Sequence, residues 1–160
     1  MAGSSGLDLR FIAAPMVNQS DLPFRLLVRR HGSTIAYTQM YIPEKLLNDR
    51  DYFEYHLRDL ASGANEPFHR PVVAQLCGND PDVIVQAGRK LQAHCDAIGK
   101  FCHPFVLFTS LYNRSLDLNL GCPQTMARDG HYGGYLLGQK DWPLVETISG
   151  NLSRLLLVFG

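Results

Sequence analysis

The chain has 160 residues, 46% hydrophobic and 19% charged, with Lys plus Arg and Asp plus Glu both at 15. That length supports one domain with a real core, and the zero formal charge argues against a free-standing nucleic-acid binder, which usually carries a basic excess, leaving only a local basic patch open. Cys77, Cys95, Cys102 and Cys122 form no Cys-x-x-Cys pair and no His-Glu-x-x-His is present, which argues against a metal site, and no apolar run reaches the length of a membrane span.

Residues 1–9 are small and polar and read as a disordered leader, not a signal peptide. With free thiols, the plain expectation is an intracellular chain, cytoplasmic or nuclear. Arg10–Val17 is an apolar run that ends in Pro15-Met16 and reads as a buried strand. Ser20 or Asp21 caps a helix that starts beside Pro23, with Leu22, Leu26, Arg29 and Arg30 at helical spacings and Gly32 as its stop. Thr34–Met40 reads as a second strand. Tyr41–Asn65 is polar, aromatic and loop-rich, with a short helix around Pro43–Asn48. Pro71–Cys77 is a third apolar strand, and Asn79-Asp80-Pro81 opens a helix whose pattern runs over Val83–Cys95, weakened by Gly88. Asp117–Gly121 is a further strand, followed by a glycine-rich loop through Gly134 and a helix over Trp142–Ile148. Strand–helix alternation with unbroken apolar strands predicts an α/β chain of parallel units buried on both faces. A complete (β/α)8 barrel takes about 250 residues, so this chain offers roughly half of one.

Ala14-Pro15-Met16-Val17, Asp21-Leu22-Pro23-Phe24-Arg25, Gln75-Leu76-Cys77-Gly78-Asn79-Asp80-Pro81 and Asp117-Leu118-Asn119-Leu120-Gly121-Cys122-Pro123-Gln124 occur in this order. In order and spacing they resemble the tRNA-dihydrouridine synthases. Asn18-Gln19-Ser20, Arg29-Arg30-His31-Gly32 and Gly130-His131-Tyr132-Gly133 are most similar to the eukaryotic branch acting at positions 16 and 17 of the D-loop. The resemblance implies the N-terminal part of a TIM (β/α)8 barrel of the FMN-linked oxidoreductase type. It further implies FMN as cofactor, NADPH or NADH as reductant, uridine in tRNA as substrate, and a monomer when full length.

By that resemblance Cys122 is the proton donor to C5 of uracil. The physical case is sound: a cysteine with a pKa near 8.5 is mostly neutral thiol at pH 7, the form a donor needs. Away from its motif it would read as a small buried hydrophobe. Pro15, Met16 and Val17 end the first strand and by resemblance contact the flavin, with core packing as the rival. Gln75 lies inside an apolar strand, where a buried amide needs partners; the resemblance supplies a flavin edge, while neighbouring backbone would serve equally. Asn119 is expected to position uracil or flavin, against a structural role in a loop. Gly130, Gly133 and Gly134 lack the spacing of a dinucleotide fingerprint and read as a bend near the site. His131 reads as a surface histidine before a phosphate contact, and Arg25, Arg29 and Arg30 as a solvated helix face before an RNA contact.

Two departures stand out. Cys95-Asp96-Ala97-Ile98 is expected to run directly into Asp117-Leu118-Asn119-Leu120, yet residues 99–116 intervene. An insertion within a strand breaks its ladder. Gly99-Lys100 could be encoded across a GTAAG-type splice donor, so retained intron translation or a gene-model error is the expectation. The domain reading is therefore a leader over 1–9, a partial barrel over 10–150 interrupted by 99–116, and a divergent tail over 151–160. The later strands of the family, with their flavin-phosphate and substrate groups, and its helical tRNA-binding domain have no counterpart in this sequence. The expectation that follows is weak FMN binding and poor turnover by these 160 residues, with a non-catalytic splice or gene-model product as the alternative function.

Overall fold

The computed structural model describes residues 8–63, 65–66, 68–101, 115–119 and 122–157, and for 97, 99–101, 115–119, 149 and 151–157 the backbone only. The leader expectation thus falls mostly outside the described residues. Five parallel strands form one sheet in the sequential order β1-β2-β3-β4-β5: β1 Ile12–Ala13, β2 Ile35–Tyr41, β3 Val72–Leu76, β4 Ala97–Phe101 and β5 Ser115–Asn119. The main helices are α1 Leu22–Arg30, α2 Pro43–Asn48, α3 Arg50–Ala61, α4 Pro81–Leu91, α5 Thr125–Asp129 and α6 Trp142–Leu157. The α/β parallel reading is therefore met.

Each early helix starts where its chemistry demands. The Asp21 carboxylate accepts the Phe24 N–H, and Pro23 sits in the first turn. At the other end Ser33 N–H donates to Val28 C=O and Gly32 N–H to Arg29 C=O. That pattern needs a left-handed residue, and Gly32 supplies it at φ 98°. Asp80 caps α4 by accepting from Asp82 and Val83 N–H.

Two expectations are corrected. The first strand shrinks to two residues, because 14–17 leave the sheet to form a turn. The 41–65 segment is not loop-rich: α3 occupies twelve residues of it, capped by Asp49, which accepts the Tyr52 N–H. Its buried stripe uses His56 and Leu60, four apart, and a histidine in an apolar stripe hides the helical period. Ala97–Phe101 and Ser115–Asn119, which run partly into the 99–116 segment, are two separate strands that pair in parallel with Ile98 opposite Leu116 and Gly99 opposite Asp117.

The two faces of the sheet carry separate cores. Val72, Ala74 and Leu76 pack on the helix side with Leu46, Leu60, Ile84, Ala87, Leu91 and Ile148. Alternation sends Val73, Gln75 and Cys77 to the opposite, inner face, where Val73 meets Ile35 and Tyr37. A bulge in β2 then changes the phase. Tyr37 pairs with Val73 but Met40 with Gln75, so an extra β2 residue is absorbed. Met40 is thereby turned to the inner face and Tyr41 to the helix side. Thr38 repairs the ladder there: its hydroxyl accepts the Gln75 N–H at 3.0 Å and donates to Gln39 C=O at 2.8 Å.

Candidate active site

The inner face ends, at the C-terminal ends of the strands, in a small apolar cluster. It comprises Met40, Cys77, Cys122, Ala127 and Tyr132, with Val17 and Ile42 packed against it. Met40 lies at the end of β2 and the others follow β1, β2, β3 and β5 in the chain, so the parallel sheet brings together groups more than a hundred positions apart. Cys122 is 5% exposed and Cys77 4%, while Pro123 to Met126 are exposed.

Val17 reaches the cluster through a tight turn. Ser20 is fully buried; its hydroxyl accepts the Met16 N–H at 2.7 Å, and its own N–H donates to Met16 C=O at 3.1 Å. Asn18 takes φ 57°, a left-handed conformation that asparagine tolerates better than most residues. This turn presents Pro15 half-buried and Met16 exposed at the end of β1.

Gln75 sits on the same inner face, two residues below Cys77. It is 1% exposed, and its Nε2 has no hydrogen-bond partner among the described residues. An unsatisfied buried amide costs roughly 1–3 kcal/mol, so a group with an acceptor edge fits here. Asn119 closes β5 opposite Phe101, which puts it at the same end of the sheet; its side chain lies outside the described residues. Of the expected site residues, the fold therefore brings Val17 and Cys122 into one cluster, sets Gln75 beneath it, and leaves Pro15 and Met16 on its open rim.

The segment after Cys122 folds back over it. Gly134 N–H donates to Cys122 C=O at 3.2 Å. Gly133, at φ 64°, comes so close that a Cβ there would lie 2.9 Å from the Cys122 Cβ. The Tyr132 ring rests against Gly130. Burial pushes the Tyr132 phenol up to about 12, with the Cys77 and Cys122 thiols adding to the effect, so it stays neutral at physiological pH. Cys77, Met40, Tyr132 and Asn79 were not singled out as site residues from the sequence. Cys77 and Asn79 carried a signal, lying just past a strand inside a quoted motif; Met40 depends on the bulge and had none.

Two basic expectations are corrected. Arg25 is not on a solvated face: it is 1% exposed, with Nη1 2.8 Å from Asp59 Oδ2 and 2.9 Å from Ser20 C=O. Arg29 ties α1 to the backbone carbonyls of Phe68, Ser33, Thr34 and Arg70. Both act on structure: Arg25 spends its Nη groups, and Arg29 its guanidinium, on protein groups. His131 is partly exposed, as expected, and is paired with Asp141 at 3.0 Å.

Among the described residues no group of three or more His, Cys, Asp or Glu could hold a metal ion, and no helix is long and apolar enough to cross a membrane. Residues 12–99 match the family model described as dihydrouridine synthase (Dus). The chain is 41% identical over 140 residues to a tRNA-dihydrouridine(16/17) synthase-like protein of the NAD(P)(+) type from Mus musculus, covering 87% of this chain and 24% of that protein. It is 35% identical over 147 residues to the tRNA-dihydrouridine(16/17) synthase of Saccharomyces cerevisiae, covering 92% and 29%. The corresponding protein of Schizosaccharomyces pombe is 36% identical over 137 residues, covering 86% and 28%. The chain thus spans about a quarter of the length of these relatives. A family match over more than half of its residues, on a parallel sheet whose strand ends gather the expected cysteine, means that this chain belongs to the dihydrouridine synthase family.

Proposed function

We propose that this chain forms the N-terminal part of an FMN-linked TIM barrel that reduces uridine to dihydrouridine in tRNA, at D-loop positions 16 and 17, at the expense of NADPH or NADH. The observation that carries the reading is the seat of Cys122, buried with Val17, Met40 and Cys77 at the C-terminal ends of the strands, where barrels keep their reactive groups. Sequential parallel strand order supports the barrel. So does the outer edge of β1, where Phe11 is 62% and Ile12 42% exposed, a surface that closure of a barrel would cover.

Held at this end of the sheet, FMN would supply hydride-transfer chemistry between a reduced nicotinamide and C6 of uracil. The chain's own residues would do the rest. The Cys122 thiol donates the proton to C5, completing a reduction in which one hydride and one proton add across the C5–C6 bond. Gln75 would offer its amide N–H, which has no partner among the described residues, to an acceptor on the flavin edge. Pro15, Met16 and Val17 form an apolar wall at the end of β1, and Asn119 positions the ring from the end of β5. The enzyme is expected to be a monomer when full length and to reside in the cytoplasm or nucleus.

The alternative, a non-catalytic splice or gene-model product of the same family, is favoured by one specific observation. The family match stops at residue 99, where the inserted segment begins. In this structure Gly99 and Lys100 hold the places opposite Gln75 and Leu76 on β3. Without 99–116, Asp117 and Leu118 would follow Ile98 directly into those places. The test is to clone the spliced transcript and purify its product beside the 160-residue chain. Flavin absorbance and dihydrouridine at tRNA positions 16 and 17 are then measured with NADPH or NADH. Flavin and product only in a longer protein lacking 99–116 support the splice reading; flavin on the 160-residue chain overturns it. A complete protein that holds flavin but leaves those uridines unreduced sinks the enzymatic reading.

A further inference from the structure

We propose that loop 130–134 is a clamp that positions the Cys122 backbone and seals its thiol from water, and that Asn79 and Asp141 are the latches that hold it shut. Three residues of this loop meet Cys122, beside the apolar neighbours already described. Gly134 N–H donates to its carbonyl at 3.2 Å. Gly133 lies against it closely enough that a Cβ would come within 2.9 Å of Cys122 Cβ and 3.2 Å of its carbonyl oxygen. Tyr132 shares its apolar cluster. The loop can make this approach because of its composition. Gly133 takes φ 64°, which costs a side-chain-bearing residue of L configuration, and Gly130 leaves the space that the Tyr132 ring occupies, where a Cβ would meet it at 2.5 Å.

A glycine-rich loop does not hold such a shape by itself, since glycine loses the most conformational freedom on ordering. Two ties from outside supply the constraint. The Asn79 side-chain amide, just past β3, donates to Gly130 C=O at 3.3 Å and to His131 C=O at 3.1 Å. On the other side His131 Nε2 lies 3.0 Å from Asp141 Oδ1, at the start of the segment leading into α6. His131 needs this tie, because it too sits at positive φ, 47°. The loop is therefore pinned to the end of β3 and to the entry of α6, with Cys122 beneath it. Asn79 and Asp141 are positioning residues: neither belongs to the Cys122 cluster, and both act on it through the loop. The bearing on chemistry rests on the reading of Cys122 as proton donor, for which a fixed, dry thiol is an advantage.

The test uses neither flavin nor tRNA, so it holds or fails independently of that reading. The 160-residue chain is treated with iodoacetamide under native conditions, and alkylation is followed at Cys122 and at Cys95 by peptide mass spectrometry. Cys95 is the internal control, buried on the helix side of the sheet with its thiol 3.4 Å from Leu91 C=O. Asn79→Ala removes both hydrogen bonds to the loop and is expected to raise the Cys122 rate about tenfold with the Cys95 rate unchanged. A Cys122 rate within about twofold of the parent overturns the proposal; so does an equal rise at both cysteines, because the loop would then open only with the whole fold. If Asn79→Ala does not fold, Asp141→Asn, which keeps the shape and removes the charge facing His131, carries the same expectation and the same refutation.

Discussion

Removing the carboxylate of Asp59 should be among the most damaging single changes in the chain. Arg25 is 1% exposed, and Asp59 is the one anion within ion-pair distance of its guanidinium among the described residues. Asp59→Ala would leave a buried guanidinium facing only carbonyls, those of Ser20 at 2.9 Å and of residue 59 itself at 3.2 Å. Stranding a buried charge in this way costs about 3–5 kcal/mol. The same carboxylate accepts the Leu22 N–H at 2.8 Å, and leaving that donor at the first turn of α1 without a partner adds about 1 kcal/mol. Against a typical domain stability of about 5–15 kcal/mol, the variant keeps little margin. The assay is urea unfolding followed by circular dichroism, comparing free energies extrapolated to water. Arg25→Met in the Asp59→Ala background should recover part of the loss, because it removes the stranded charge while filling a similar volume. A loss below about 1 kcal/mol for Asp59→Ala, the range of exposed ion pairs, would refute the reasoning, as would an additive double variant.

Other outcomes follow from the same geometry. His56 and His69 are 5% and 1% exposed, and burial holds both below their ordinary 6.5, with the Arg25 and Arg70 charges adding at His69. The unfolded chain then binds protons more readily, so this contribution is complete above about pH 6.5 and is lost as pH falls below it. Urea midpoints measured on either side of about pH 6.5 should fall on the acid side, and a His69→Leu variant should show a shallower fall; an unchanged slope would count against the assignment. Gln75→Leu removes an amide nitrogen that has no partner among the described residues, so it should raise stability by about 1 kcal/mol while weakening flavin retention in the complete protein, read by flavin absorbance after gel filtration. In that complete protein Cys122→Ala should lower dihydrouridine formation by about 10²–10⁴, the usual worth of a general acid, with flavin content unchanged; loss of flavin instead would assign Cys122 to binding.

Much of the scaffold was decided locally and so could be read from residue order. Asp21 and Asp80 cap their helices because a carboxylate accepts the free N–H groups of a first turn, and Gly32 ends α1 because the stop needs positive φ. The apolar runs at 72–76 and 35–41 are strands for the same local reason. The position of Cys122 just past a strand was legible for the same reason, and its motif carried the family. The helix at 50–61 escaped notice because its buried face includes a histidine, whose burial depends on the tyrosines packed around it. Arg25 gave no local sign of burial, since its partner lies 34 positions away. Met40 reaches the site only because β2 absorbs a bulge against β3, and the loop 130–134 that covers Cys122 is tied to Asn79, some fifty positions earlier, and to Asp141. Sequence by itself determined the capped helices, the apolar strands and the cysteine that the family motif marks, all set by neighbours within a turn or a pleat. Only the tertiary structure decided which charges are buried, which face each β2 residue takes and what encloses the thiol, because those depend on pairing between distant segments.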